Sequence, residues 1–419
     1  MAVLKFLLGC FKLITTGSKA YKAWVVFLLG LIGVGIHGYA HQFSHGLIST
    51  AMRDQVSWGF YIGNFTFLVG VAAAAVMLVI PAYVYHWEPI KEVVILGELL
   101  AISAITMCLC FVMADMGHPE RLWEFIPYLG SINFPRSLLA WDSMVLNAYL
   151  VLNLLVVGHL LFKAFMGQHY NKKIVYPLVL LSIPAAVSIH TVTAFLYNGL
   201  IARPFWNAAI LAPRFIASAF CSGPAILLIL FQVLRKTTPF RIKNEAIWKV
   251  AELMAYAMFF NLFLEAAEVF KEYYSDTEHL LYMRYLYTGV HGHNTLVPYA
   301  WTALVCNILA FLIFLHPKTR RNFLTLNLGC LLIYSGVYIE KGMGLVIPGM
   351  TPDTLGEIYE YSPTITELKV AAGVFALGFL VFTLLVKIAV PIVMGQFGIN
   401  NVRTSRDEAL ARSTAPASH

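Results

Sequence analysis

Long apolar stretches follow one another along almost the whole chain, and each is about as long as a helix that crosses a bilayer. A transmembrane helix needs about 20 predominantly apolar residues, whereas a membrane β-barrel would show alternating segments of about ten residues. The apolar stretches cover residues 22–44, 57–85, 90–115, 137–166, 174–199, 207–235, 247–273, 296–316, 322–342 and 368–395. The pattern predicts an all-α integral membrane protein with about ten transmembrane helices.

The composition agrees with this prediction. Of the 419 residues, 59% are hydrophobic and 12% are charged, whereas about a quarter of the residues of a soluble domain are charged. The first apolar stretch is too long and too deep in the chain to be a cleaved signal peptide, so we expect it to be retained.

The net charge of +7 is explained by membrane topology rather than by binding to nucleic acid. Twenty of the lysines and arginines fall in one alternating set of loops and eight in the other. Because cytoplasmic loops carry the excess of basic residues, we expect a multi-pass protein of the cytoplasmic membrane with both termini in the cytoplasm. The loop after residue 115 then lies outside.

A repeat divides the chain. AWDSMVLN at residues 140–147 returns as AWTALVCN at residues 300–307, 160 positions later. Both copies begin spans that run in the same direction, so the repeat predicts two four-helix bundles in parallel relation, with a flanking helix at each end of the chain. The predicted divisions are an N-terminal tail and flanking helix (1–56), a first bundle (57–199), a second bundle (200–345), an outer loop and last helix (346–399), and a cytoplasmic tail (400–419).

Polar side chains gather at the outer ends of the first bundle's spans. They are Tyr61, Asn64, Asp115, Trp141, Asp142, His190 and Tyr197. Aromatic residues at this depth are often interface anchors, but ionisable groups inside a membrane are rare without a function. A quinone ring needs hydrogen-bonding groups, a proton relay and an apolar slot for its tail. We therefore expect one outer quinone pocket, with Asp115, His190 and Asp142 in proton transfer.

The second bundle and the inner half of the third span carry further buried charges. Arg214 with Glu265 or Glu268 is either a neutralising pair that joins two helices or part of a proton path. Glu98 has no evident partner in the sequence. It is therefore a candidate for a proton-path carboxylate, or for a structural hydrogen bond to a neighbouring helix.

Cysteines and histidines do not form a recognisable metal or cluster site. The six cysteines include no CxxC pair, and we expect no iron–sulfur cluster, haem or other metal to be ligated by this chain. His37, His41 and His45 form a stripe along the first span, which cannot supply both axial ligands of a haem. An interfacial or partner-contacting stripe is the favoured interpretation.

Two motifs resemble a known family. DMGHPERLW (residues 115–123) and FPRSLLAWDSMVLNAY (residues 134–149) are similar to the NrfD-like, or polysulfide reductase, membrane-anchor family. The closest resemblance is to the DsrP-type (HmcC-like) subunits of the Dsr and Hmc redox complexes of sulfate-reducing organisms. The positions carried over from the motifs are Asp115, Gly117, Pro119, Arg121, Pro135, Arg136, Trp141, Asp142 and Asn147.

The resemblance implies a subunit without a redox cofactor of its own and a menaquinone or menaquinol site near the outer face of the first bundle. Tyr61, Asn64, His118, Arg121, Trp141 and Tyr197 are the expected quinone-binding residues. Polysulfide reductase relatives place a His near Asn64, where this chain has none. The resemblance also implies an extracytoplasmic ferredoxin-like iron–sulfur partner, with further membrane and cytochrome subunits.

In the first motif, Gly117 and Pro119 are expected to stop the emerging helix, and Asp115 and Arg121 to pair across the turn. The function predicted for the chain is electron exchange between menaquinone and the iron–sulfur partner, with proton translocation through Glu98, Arg214, Glu265 and Glu268 as an additional hypothesis. The alternatives are a secondary transporter, which could also contain a parallel repeat and buried charges, and a cytochrome b-type haem protein.

Overall fold

A computed structural model describes residues 2–126 and 129–399. The predicted tail of residues 400–419 lies outside the described residues. The helices of nine or more residues are α1 (Ala2–Thr15), α2 (Lys19–His45), α3 (Phe60–Val84, with a π-helical last turn), α4 (Val94–Asp115), α5 (Leu138–Phe165), α6 (Lys172–Asn198), α7 (Leu211–Thr237), α8 (Asn244–Ser275), α9 (His279–Tyr287), α10 (Val297–Leu315), α11 (Phe323–Lys341) and α12 (Ile365–Val393).

Ten helices of the described chain are long and apolar enough to span a membrane. The prediction of an all-α protein with about ten spans is confirmed, and α4 ends at Asp115, where the Gly117 and Pro119 signals placed the stop. The short amphipathic helix α1 and the loop helix α9 were not predicted. The end of the molecule that carries residues 116–126 and 129–137 is called the outer end below, after the topology predicted from the basic residues.

The two predicted halves pack as neighbouring groups of helices. Helices α3 to α6 form the first group, and α7, α8, α10 and α11 form the second. The groups meet where α3 and α6 pack against α7 and where α11 approaches α3. This contact brings side chains from both halves of the repeat into the centre of the molecule.

The flanking helices α2 and α12 lie side by side and cover α4. They approach closely at two glycines, since a Cβ atom added to Gly35 would lie 2.5 Å from Cα of Gly373. Only glycine allows such a backbone contact. The chain thus adds a close helix pair to the first bundle.

The repeat is visible in equivalent side-chain contacts. Trp141 on α5 donates from Nε1 to the carbonyl oxygen of Pro135 at 2.9 Å, and Trp301 on α10 donates to the carbonyl oxygen of Tyr287 at 3.0 Å. Each indole therefore ties the start of its helix to the segment before it. The copies differ at the asparagines, because Asn147 is exposed whereas Asn307 is buried and donates to Glu340.

Candidate functional site

A chain of hydrogen bonds joins three helices near the outer end of the first bundle. Tyr61 on α3 donates from Oη to Oε1 of Gln42 on α2 at 2.7 Å. Gln42 in turn donates from Nε2 to the carbonyl oxygen of Ala114 on α4 at 2.6 Å. Sequence reasoning missed Gln42, although a glutamine inside an apolar span was a visible signal.

Asp115 is the last residue of α4 and lies directly beside these hydrogen bonds. Its Oδ1 atom is buried and has no hydrogen-bond partner among the described residues. The carboxyl group is close enough to Tyr61 and Glu367 to interact with both electrostatically. A buried carboxyl oxygen without a partner is unusual in folded proteins, so Asp115 has a free hydrogen-bonding position to offer to a ligand.

Glu367 is fully buried, and both of its carboxylate oxygens accept hydrogen bonds from neighbouring groups. Its Oε2 accepts hydrogen bonds from the backbone N–H groups of Ala51 at 2.9 Å and Thr364 at 2.8 Å, and its other oxygen accepts from the Tyr361 hydroxyl. Burial, together with the Glu367 carboxylate, raises the pKa of Tyr361 above its ordinary range. Glu367 therefore fixes the start of α12 and the segment before α3.

An apolar cleft that offers about 140 Å³ to the centres of water-sized molecules, part of it open to the surroundings, lies between α2, α4 and α12. Tyr39, Cys110, Ala114 and Gly373 are among its lining residues. Because Ala114 also accepts the hydrogen bond from Gln42, the outer end of the cleft adjoins the Gln42–Tyr61–Asp115 group. This group and the cleft together are called the outer cleft site.

A second polar group joins α3, α5 and α6. Thr193 donates from Oγ1 to Oδ1 of Asp142 at 2.6 Å, and the hydroxyl groups of Tyr197 and Thr66 are hydrogen-bonded to each other. The ring of Tyr197 is enclosed by Trp58, with ring centroids 5.4 Å apart, and by Trp206 at 5.1 Å. Asp142 and Tyr197 are thus held inside the bundle.

Asn64 and His190 face the second half of the molecule. Asn64 accepts a hydrogen bond at Oδ1 from Oη of Tyr338 on α11 at 2.7 Å. His190 contacts its own helix through Nδ1, 2.8 Å from the carbonyl oxygen of Ala186. The expected single outer pocket is therefore divided: Tyr61 and Asp115 meet at the cleft, Asp142 and Tyr197 lie between helices, and Asn64 and His190 lie at the contact between halves.

His118, Arg121 and Trp141 lie exposed at the outer end. His118 Nδ1 lies 2.8 Å from Oε1 of Glu120, and the backbone hydrogen bond of Glu120 together with His118 lowers the pKa of this glutamate. Arg121 pairs with Glu124 at 2.7 Å. The expected pair between Asp115 and Arg121 is wrong, because the 3₁₀ helix Pro119–Phe125 places Arg121 beside Glu124 on the outer surface.

The second bundle contains a buried network of charges. The expected contact of Arg214 with Glu268 is confirmed, and Arg214 also donates from Nη2 to Oε1 of Glu340 at 3.0 Å. Glu265 accepts a hydrogen bond from Tyr287 Oη at 2.9 Å. Glu340 was not among the residues predicted from the sequence, although a glutamate within the ninth apolar span was a visible signal.

Three further groups complete this network. Asn261 and Asn307 donate from Nδ2 to Oε2 of Glu340 at 3.1 and 2.9 Å. Lys341, near the end of the ninth apolar stretch, is 3% exposed, and its Nζ lies 3.6 Å from Oε1 of Glu340. The cluster therefore links α7, α8, α10 and α11.

Glu98 lies in the inner half of α4, apart from the outer cleft site and from the charge network of the second bundle. It is buried, and its Oε2 has no hydrogen-bond partner among the described residues. Tyr83 and Tyr149 lie near enough to interact with it electrostatically. The hydroxyl of Tyr149 also lacks a partner within the described chain.

The histidine stripe is exposed on α2, where the rings of His41 and His45 stack with centroids 4.2 Å apart. Across residues 2–126 and 129–399, no group of three or more His, Cys, Asp or Glu side chains is arranged to hold a metal ion.

Comparison with known proteins finds relatives that match most of this chain. A putative membrane subunit of dimethyl sulfoxide reductase from Halobacterium salinarum is 26% identical over 86% of this chain and 89% of its own length. A selenate reductase subunit from Mesobacillus selenatarsenatis is 23% identical over 88% of this chain and 93% of its own length. An Hdr-like menaquinol oxidoreductase integral membrane subunit from Archaeoglobus fulgidus is 23% identical over 90% and 95%.

These relatives are membrane subunits of oxidoreductase complexes, in agreement with the ten apolar helices. The family described as polysulphide reductase, NrfD, matches residues 48–351, which include Tyr61 and Asp115 of the outer cleft site, both copies of the repeat and the charge network around Glu340. The chain therefore belongs to the polysulphide reductase NrfD family of multi-pass membrane proteins.

Proposed function

We propose that this chain is the quinone-interacting membrane subunit of a respiratory complex and exchanges electrons between menaquinone or menaquinol and an extracytoplasmic iron–sulfur subunit. The observation that carries the proposal is the outer cleft site, an apolar cleft that ends beside a buried carboxyl oxygen with no partner among the described residues. The Archaeoglobus relative, a menaquinol oxidoreductase subunit, supports the choice of quinone. The resemblance to the Dsr and Hmc subunits supports the choice of partner.

The residues of the outer cleft site suit a quinone ring and its tail. The apolar lining from Ile32 to Leu377 accommodates an isoprenoid chain, and Gln42, Tyr61 and Asp115 offer hydrogen-bonding groups to the ring oxygens. A bound quinol supplies two electrons and two protons to its partners. Asp115 would take one proton from a ring hydroxyl at Oδ1, the second proton would pass to water at the outer end, and the two electrons would pass to the iron–sulfur partner. The Gln42–Tyr61 hydrogen bond would keep the ring-facing groups in place.

Electrons must leave toward a partner, because we propose no cofactor held by this chain. The outer end offers a docking surface in the segment after α4, where Trp123 is 53% and Leu129 is 70% exposed. Exposed apolar residues of this kind, next to the charged pairs of His118 and Arg121, are typical of protein interfaces. The surface lies next to the outer cleft site, which keeps the transfer distance short.

Proton translocation is the second part of the proposal. Glu98 on the inner side and the Arg214, Glu265 and Glu268 group on the outer side are buried ionisable groups at different depths. Intramembrane carboxylates of this kind are typical of proton pathways. We propose that they carry protons across the membrane while the quinone reaction proceeds.

The test is a binding measurement on the purified chain in lipid nanodiscs with a photoreactive quinol analogue. We expect cross-links to peptides of α2 and α4 that border the cleft, and competition by a menaquinone analogue. Gln42→Leu is expected to weaken binding by up to about tenfold, the effect of losing one hydrogen-bonding group. Asn147→Leu, an exposed position away from the cleft, is the control; cross-links outside the cleft, or equal binding by Gln42→Leu, would contradict the proposal.

The partner is tested separately by copurification. A tagged chain is expected to bring down a protein with the visible absorption of iron–sulfur clusters, and Leu129→Asp is expected to lose it while the membrane protein remains folded. Copurification that is unaffected by Leu129→Asp would place the docking surface elsewhere.

A further inference from the structure

A small cavity lies at the centre of the molecule, where the two halves of the repeat meet. It offers about 10 Å³ to the centre of a water molecule, which is close to the least space that one buried water needs. Side chains from both halves line it. Those that matter here are Thr66 and Gly70 on α3, His190 on α6, Ser218 and Ser222 on α7, and Lys341 on α11.

His190 brings an unused nitrogen to this cavity. The residue is 2% exposed, and its Nε2 has no hydrogen-bond partner among the described residues. Because Nδ1 lies 2.8 Å from the carbonyl oxygen of Ala186, Nδ1 carries the hydrogen of a neutral ring and Nε2 is left as an acceptor. Nε2 can therefore accept a proton or a hydrogen bond from the cavity side.

Lys341 brings an unused donor from the other half. Its Nζ is buried and makes no hydrogen bond within the described chain. The ammonium group lies 5.2 Å from the centre of the Phe215 ring and 3.6 Å from Oε1 of Glu340. An ammonium has three N–H donors, so at least one is available to the cavity.

We propose that a single buried water in this cavity links Lys341 to His190 and forms a proton-transfer connection between the two halves of the molecule. The water accepts a hydrogen bond from Lys341 Nζ and donates one to His190 Nε2. It donates its second hydrogen to Oγ of Ser218, whose own hydrogen is used on the carbonyl oxygen of Arg214 at 2.8 Å. This gives the water three polar partners, the usual number for a buried water.

The transfer needs only Lys341, the proposed water and His190. A proton leaves the Lys341 ammonium for the water while the water passes one of its own protons to His190 Nε2. Lys341 becomes a neutral amine, His190 becomes an imidazolium, and no electrons move; the reverse step restores both. The connection rests on the proposed function only for the source of the protons, and it joins His190 to the charge network around Glu340.

The water itself is tested without any quinone. The full-length chain, labelled with ¹⁵N-histidine and held in lipid bilayers, is studied by solid-state NMR with magnetisation transferred from water, and His190→Gln identifies the His190 signals. We expect water magnetisation to reach His190 Nε2 and the His190 signals to shift in Lys341→Met. No transfer in the unmodified chain would overturn the proposal.

Gly70→Ala is the decisive variant because it fills the cavity without removing a polar group. The added Cβ would lie 3.3 Å from Oγ of Ser222 and 3.6 Å from Cα of Ala219, a position that the side chains can accommodate with a small shift. Gly30→Ala on α2 is the matched control, since nothing lies within 4 Å of its added Cβ. We expect Gly70→Ala to lose the water transfer to His190 and Gly30→Ala to keep it; transfer that persists in Gly70→Ala would overturn the proposal.

The proton role is tested in the reconstituted complex. Gly70→Ala is expected to lose proton movement coupled to quinol oxidation while quinol oxidation itself continues. Unchanged proton movement in this variant would overturn the relay. Failure of quinone binding would leave the NMR result standing, so the two proposals fail independently.

Discussion

At the scale of single residues, the buried carboxylates of the first half and its flanking helices fall into two kinds. Glu367 and Asp142 receive hydrogen bonds from neighbouring groups, so their charge or polarity is satisfied by the fold. Asp115 and Glu98 each keep one buried oxygen without a partner in the described residues. Since leaving a buried polar atom unsatisfied costs about 1–3 kcal/mol, the second kind is expected where function requires it.

Asp115→Asn tests the proton-accepting role of the unsatisfied carboxyl group. An amide keeps the size of the side chain but cannot take a proton, so the rate of quinol oxidation by the complex is expected to fall about 100-fold, the lower range for loss of a general base. Steady-state kinetics with a soluble menaquinol analogue measures the change. Glu88→Gln, on the exposed surface at the opposite end of the molecule, is the control. A rate for Asp115→Asn equal to that of the control would refute the role.

Thr193→Val tests the kind of buried carboxylate whose oxygens receive hydrogen bonds from the fold. The valine removes the hydroxyl that donates to Asp142, which leaves a buried carboxyl oxygen unpaired and is expected to lower the free energy of unfolding by about 1–3 kcal/mol. Thermal or denaturant unfolding in detergent measures it. Thr191→Val is the matched control two residues away on the same helix, because its hydroxyl donates to the carbonyl oxygen of Val187 one turn earlier; equal losses in both variants would show that the Asp142 contact contributes nothing.

At the scale of elements, the pair α2–α12 sets the shape of the outer cleft. Gly35 and Gly373 both line the cleft and both lie at the closest approach of the two helices. The width of the cleft therefore depends on the distance between these backbones. A side chain at this contact would push α2 away from α12 and disturb the site for the quinone tail.

Gly373→Ala is the corresponding prediction. The added Cβ would lie 2.6 Å from Cα of Gly35, so the helices must separate, at an expected cost of about 1–3 kcal/mol. We expect a lower unfolding temperature and weaker binding of the quinol analogue. Gly30→Ala on the open face of α2 is the control, and normal stability and binding in Gly373→Ala would mean that the cleft does not depend on this contact.

The sequence predicts the positions of the helices better than the direction in which each side chain faces. The apolar lengths placed all ten spans to within a few residues, because burial in a bilayer demands about 20 apolar residues. The 14-residue helix α1 lies below that length and was missed. Tyr61 and Asn64 lie three residues apart and were assigned to one pocket, but Tyr61 contacts α2 whereas Asn64 contacts α11. Which neighbour each side chain meets depends on packing between helices far apart in the chain.

At the scale of the whole molecule, the two halves of the repeat use their polar groups differently. The first half, together with the flanking helices α2 and α12, forms the outer cleft site, which includes the unsatisfied carboxyl group of Asp115. In the second half, the charges of Arg214, Glu268 and Glu340 are paired with one another. Buried ion pairs of this kind contribute little net stability, but breaking one leaves an uncompensated charge. The network therefore holds α7, α8 and α11 in one arrangement.

A double-mutant cycle on Arg214 and Glu268 tests this view of the second half. Arg214→Gln leaves Glu268 and Glu340 without their shared cation and is expected to lower the free energy of unfolding by about 3–5 kcal/mol. The double variant Arg214→Gln with Glu268→Gln removes one stranded carboxylate along with the cation. We therefore expect it to lose less stability than the sum of the two single variants, with a coupling of about 0.5–3 kcal/mol.

The matched control for this cycle is the exposed pair of Arg121 and Glu124 at the outer end. Arg121→Gln is expected to change the free energy of unfolding by less than about 1 kcal/mol, because a solvated ion pair contributes little. Denaturant unfolding of the four proteins of the cycle and of the control, in one detergent, gives the comparison. Additive losses in the cycle, or a loss for Arg214→Gln no larger than for Arg121→Gln, would show that the charges of the second half do not act as a unit in holding α7, α8 and α11 together.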